Sequence, residues 1–235
     1  MPEVTTEEQK AGTSMNFVSR FLGIFVSPKR VFSDVDAGAP WWQPLIWVLL
    51  LTLIIGVVVM PVQIRLLQLR GDEMPKEQLE QAVKFVPVGI IVGLVMVVIV
   101  GFIVAAVSFI AVSILSERAS FKKHLTIYFY ASIVATVGMV VSNLVVRAKG
   151  IENIRTIRDA AAPFGPAAFV PEAQKIPYAV LSTLDIFSLW FYVLMALGVM
   201  QVFRLSWRSA LLVVVPIWIL TVVITVIGAH FGAAV

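Results

Sequence analysis

Cysteine is missing from all 235 residues. That excludes a disulfide framework, a thiolate metal site and a cysteine nucleophile. Histidine is nearly missing too: His124 and His230 are the only two, and they are not spaced as a zincin pair. No Walker A loop, dinucleotide fingerprint or Gly-x-Ser-x-Gly elbow occurs, so neither a catalytic residue nor a cofactor is expected. Charge is scarce. Charged residues make up 14% of the chain and hydrophobic ones 60%, against roughly 25% and 45–50% in a soluble globule. The mean hydropathy is +0.96. A chain of this size cannot hide so much apolar side chain beneath so little polar cover, which excludes a soluble enzyme and a disordered chain. The net charge of +4 is scattered over short segments, which fits residues that orient membrane spans better than a nucleic-acid surface.

What the sequence does have is long apolar runs. Five occur, at about 42–62, 85–115, 125–146, 182–203 and 210–230. About 20 apolar residues cross the hydrocarbon layer as a helix, and the runs are far too long for barrel strands. The second exceeds the requirement and is expected to tilt or project. The fold class is therefore all-α: a polytopic membrane protein with a five-transmembrane-helix bundle over 42–235. Residues 1–16 read as a polar tail without a signal-peptide core. Residues 17–41 read as N-terminal amphipathic interfacial helices. Phe17, Val18, Phe21, Leu22 and Phe25 form an apolar stripe opposite Asn16, Ser19, Arg20 and Gly23. Ser27-Pro28 reads as an N-cap and first-turn proline. Two placements stand for this segment: in the headgroup plane, or packed beneath the bundle. In the first long connection, Pro75 starts a separate short helix, supported by the pairs Lys76–Glu80 and Glu80–Lys84. In the second, Ile151, Ile154 and Ile157 predict a turn or two of helix before prolines make the rest irregular.

Orientation rests on the short connections, which weigh most. Arg118, Lys122 and Lys123 lie between runs two and three, Arg204 and Arg208 between runs four and five, and Lys10, Arg20, Lys29 and Arg30 precede the first. They predict a cytoplasmic N-terminus and an external C-terminus.

Within the apolar runs, Asp185 is the conspicuous charge, with Ser188 and Tyr192 three and seven residues on, on the same helical face. An ionisable group in a membrane segment is costly and suggests function: a proton relay or a substrate site. The alternative is structural, a carboxylate in the first turn of the fourth helix where the dipole favours it. Gly89-x-x-x-Gly93, continued in step by Gly101, permits close helix approach, as does Gly198. Packing within the bundle and a homodimer seam both satisfy it. Asn143 and Gln201 are candidates for bonds between helices.

The order of several short motifs resembles the Yip1-domain family in its bacterial form. The motifs are Ser27-Pro28-Lys29-Arg30-Val31-Phe32, then Pro40-Trp41-Trp42-Gln43-Pro44, then Ser120-Phe121-Lys122-Lys123-His124, and lastly Leu184-Asp185-Ile186-Phe187-Ser188-Leu189-Trp190. The resemblance implies a small non-enzymatic component of the bacterial cytoplasmic (inner) membrane, a scaffold or accessory subunit. Its partners would be the lipid bilayer, an ABC-type exporter or another membrane protein, or a second copy in a homo-oligomer. A small transporter or lipid-handling protein built on Asp185 is the alternative. For topology, a reporter that works only outside the cytoplasm should be active when fused after Val235, and a reporter active there only in the cytoplasm would reverse the assignment.

Overall fold

The computed structural model describes residues 15–69, 71, 75–156, 158–162, 164–171 and 174–230. Residues 1–14 of the expected tail at 1–16, Ile157 and the last five residues of the 42–235 unit lie outside the described residues. Eight α-helices follow one another: α1 (Phe17–Val26), α2 (Pro28–Asp36), α3 (Trp42–Leu69), α4 (Lys76–Leu115), α5 (Phe121–Ala148), α6 (Lys175–Ser182), α7 (Ile186–Phe203) and α8 (Trp207–His230). Short 3₁₀ turns lie between α5 and α6. Five of the helices, α3, α4, α5, α7 and α8, are long and apolar enough to cross a membrane.

The least apolar of the five, α5, occupies the middle. It carries Thr126, Ser132 and Thr136, each of which returns its hydroxyl to the carbonyl four residues back. Such groups are satisfied locally but still cost less inside protein than facing acyl chains. The most apolar helix, α4, stands at the edge with most of its surface exposed. Only the stripe Gly101, Ala105, Ser108 and Val112 is buried. The arrangement inverts a soluble core, because lipid accepts the apolar faces that water would not.

Several boundaries differ from those expected. The helix predicted at Pro75 does not stand apart: α4 runs unbroken for 40 residues, through Pro87, or ~60 Å at 1.5 Å per residue. Likewise α3 continues past Val62 to Leu69. That extension is held because Val62 packs with Val146 and Ile154 in a small second core, and Arg65 Nε donates to the Ile154 carbonyl. Ile154 is buried as an anchor, but 3₁₀ turns replace the regular helix expected around it.

At the N-terminal segment α1 and α2 pack against the bundle, and the buried face of α1 is rotated from the expected one. Arg20 and Gly23, assigned to the polar side of α1, are buried against the bundle, while Val18, Leu22 and Val26 point outward. Arg20 explains the rotation. Its Nε donates to Asp34 Oδ2 at 3.0 Å and its Nη1 to Gln43 Oε1 at 2.6 Å; Asp34 also accepts from the Met15 amide. A guanidinium so provided for can be buried, and breaking such a pair from one side is expensive. Phe17 and Phe21 pack on Trp47, with ring centroids 4.8 and 4.3 Å away. Ser27 does precede α2, with Pro28 at its first position, but makes no side-chain cap bond.

Beneath the bundle α2 is pinned at its end. Asp36 accepts from Lys123 at 2.7 Å and from Arg204 at 3.2 Å. The Lys123 bond leads in holding its carboxyl below the ordinary value of 3.8. Gln201 reaches from α7 to the Lys29 carbonyl and Ser33 hydroxyl, whereas Asn143 bonds only within α5. Phe32, completely buried, sits under Gly198 together with Ile127.

The glycines divide accordingly. A Cβ on Gly198 would meet Ile127 at 2.5 Å, and one on Gly101 would meet Phe129 at 2.6 Å. Gly89 and Gly93 have nothing within 4 Å, so packing inside this bundle does not account for them: they lie on the part of α4 that faces out. Gly198→Leu and Gly101→Leu should each cost about 1–3 kcal/mol by overpacking, read as a lower unfolding temperature in detergent. Gly89→Leu and Gly93→Leu should unfold with the parent protein.

Candidate functional site

A helix break precedes the fourth crossing, and the candidate site lies at the break. The predicted span over 182–203 holds as α7 but starts later than expected: Ser182 is the last residue of α6, Thr183-Leu184-Asp185 interrupt the helix, and α7 begins at Ile186. Alone, α7 has 18 residues, ~27 Å, close to a hydrocarbon layer of ~30 Å, and is long and apolar enough to cross by itself. The interruption packs against the middle of α8. Thr183 accepts from Trp218 Nε1 at 3.2 Å, and Trp218 stands eleven residues after the start of α8 and twelve before its end.

Local chemistry explains the stop and the restart. The hydroxyls of Ser182 and Thr183 donate to the carbonyls of Ala179 and Val180 at 2.8 and 2.7 Å, competing with the next helical amides. Asp185 then takes an extended conformation as the N-cap of α7. Its Oδ1 accepts from the amides of Phe187 and Ser188 at 2.9 and 3.2 Å. Ser188 also donates its hydroxyl to Oδ2, a third bond to the capping carboxylate. The amide of Ile186 donates to the Phe164 carbonyl, so the connecting segment supplies a partner the helix lacks. Gly165 makes that approach possible, since a Cβ there would stand 2.9 Å from both the Asp185 Cα and the Leu184 carbonyl oxygen.

A cavity of about 340 Å³ opens beside the break. Asp185, Ser188, Ser182, Asn143 and Tyr178 contribute its polar groups; Gly138, Met139, Val146, Ala161, Phe164 and Phe187 are among its apolar walls. Asp185 and Ser188 are thus brought together, as their spacing predicts, but Tyr192 is not among the lining residues. It packs its ring 5.0 Å from that of Phe191. Phe187 presses onto Gly138, where no Cβ has room. Trp190 stays partly exposed at 37%, and Trp42 at 48%. Above the cavity, amides of Arg155 and Thr156 hold the Asp159 carboxyl below its ordinary value.

Chemically this is a poor active site. The carboxylate is committed to three donors, and among the described residues no cluster of His, Asp and Glu is placed to hold a metal ion. Sequence reasoning placed Asp185 inside the first turn of a helix starting near Ser182, whereas it is the N-cap of a helix that starts at Ile186. The run Ser182-Thr183-Leu184-Asp185 carried the missing signal, three side chains of the capping type within four residues. The roles of Gly165, Phe164 and Trp218 had no local signal, because their partners lie 20 to 35 residues away.

The Yip1 domain model matches residues 22–228, from within α1 to near the end of α8. The chain belongs to the Yip1-domain family. Among its relatives is "Membrane protein YknW" of Bacillus subtilis (strain 168), 24% identical over 217 residues, covering 88% of this chain and 90% of that protein. No solved structure matches the chain. The family match takes in the Asp185 cap, the α2 segment under the bundle and all five long helices as one unit.

The cap is open to a direct test. Asp185→Asn keeps an acceptor and should unfold close to the parent protein, whereas Asp185→Leu should lose about 0.5–2 kcal/mol in detergent-solubilised thermal unfolding. Identical unfolding of all three proteins would remove the capping role.

Proposed function

We propose that this Yip1-family protein is a non-catalytic scaffold or accessory subunit that holds another membrane protein through the outward face of α4. The face formed by Gly89 and Gly93 supports this most strongly. Phe85, Val88, Val92 and Met96 surround the two glycines and are all exposed, and nothing among the described residues fills the space above them. Small residues let a neighbouring helix approach closely, where dispersion and weak hydrogen bonds replace a hydrophobic drive that lipid does not supply. The commitment of Asp185 to its cap argues against a proton relay there. The family resemblance makes an ABC-type exporter the first partner class to seek, in a bacterial cytoplasmic membrane, with α2 on the cytoplasmic side. A second copy of the chain is the other occupant of the same seam.

Affinity purification of the full chain in a mild detergent should recover a stoichiometric membrane protein or a defined homo-oligomer. Gly89→Leu with Gly93→Leu should abolish that association while leaving unfolding unchanged. A clean monomer, or association indifferent to both substitutions, would defeat the proposal.

A further inference from the structure

The cavity at the helix break does not end at its upper edge. A second hollow of about 490 Å³ adjoins it, and the two share Val146, Ala161, Ala162 and Phe164 as walls. Together they form one furrow along α5 from Gly138 to Lys149. That stretch is ~16 Å long, close to half of the ~30 Å hydrocarbon layer. Its roof is the alanine-rich connection after α5. Its lower end opens sideways, where Met139 is 57% exposed and Ile186 is 62% exposed.

The two ends differ in charge. At the upper mouth stand Lys149 and Arg158. Arg158 is fixed there, with its guanidinium 5.6 Å from the centre of the Tyr178 ring and a bond to the Ala168 carbonyl. Lys149 is exposed and has no ion pair among the described residues. One acid, Asp159, also lines the mouth; its carboxylate accepts from the Arg155 and Thr156 amides and the Thr156 hydroxyl. Glu152 brings a second carboxylate beside Gly150, a wall of the same hollow, so the formal charges balance, and neither Lys149 nor Arg158 is in an ion pair among the described residues. At the lower end Asp185 and Ser188 are bonded to each other and to the start of α7, so little unspent polarity faces the space.

We propose that the furrow binds one acyl chain of a bilayer phospholipid with an anionic headgroup, with the chain along α5 and the headgroup at Lys149 and Arg158. The lateral opening lets the chain enter from the bilayer, the alanines and Phe164 give it apolar walls, and the cations select the head. This inference is independent of the α4 seam, which lies on a different helix.

The test uses the full chain in vesicles of phosphatidylcholine with phosphatidylglycerol. Trace photoactivatable probes carry either headgroup, with the reactive group on the acyl chain. The phosphatidylglycerol probe should label residues 138–146 and 160–167 in preference to the phosphatidylcholine probe. Lys149→Gln and Arg158→Gln should each reduce that preference about fivefold. Ala161→Trp should block both probes in the furrow while labelling of the outward face of α8 persists. Excess inorganic phosphate should compete with neither. Equal labelling by the two probes, labelling unchanged by Ala161→Trp, or displacement by phosphate would each overturn the proposal. If Ala161→Trp fails to fold, the two charge variants, which leave the walls intact, decide it.

Discussion

A main chain that leaves the helix in apolar surroundings must find new partners for its amides and carbonyls, or the fold does not form. Much of the upper half of this protein follows from that requirement at Thr183-Leu184-Asp185. Asp185 and Ser188 satisfy the start of α7, Thr183 and Ser182 occupy carbonyls at the end of α6, and Phe164 lends a carbonyl to Ile186. Drawing Phe164 down obliges the connection after α5 to descend beside the bundle, which only Gly165 permits at that spacing. The descent in turn encloses the space between α5 and the break. The cavity is thus a consequence of how the chain pays for an interrupted helix.

The opposite end is organised by charge. Arg20, Asp34 and Gln43 form one buried node joining α1, α2 and α3, and Asp36 ties α2 to α5 and to the turn after α7. These bonds fix α2 crosswise under the bundle, so that Phe32 can rise into the gap left by Gly198. The two ends therefore differ in kind. One is latched by ion pairs; the other is a roofed, mostly apolar hollow with cations at its rim.

Between them the helices sort by polarity against the usual rule. The helix richest in hydroxyls, α5, lies inside, and the most apolar, α4, outside. Van der Waals fit and small residues hold such a bundle, which is why Gly101, Gly138 and Gly198 meet aromatic or branched side chains. Gly89 and Gly93 share the composition of a packing motif without a partner among the described residues, and it is on this face that the proposed partner helix would lie.

The sequence by itself determined the membrane class, five apolar helices and the family resemblance, because each depends on runs of neighbouring residues whose transfer free energies add. It also marked Asp185 and Ser188 as a pair, through helical spacing alone. Tertiary structure decided what local spacing cannot encode. Arg20 turned inward because Asp34 and Gln43, 14 and 23 residues away, make its burial tolerable. The helix breaks ahead of the fourth crossing because Phe164 and Trp218, remote in sequence, supply the bonds an interrupted helix needs. Which glycines pack and which face outward was settled only by the neighbours that folding brought to each. A hydropathy run measures whether a segment prefers lipid to water. It carries no information about which partner will satisfy a polar group once water is gone.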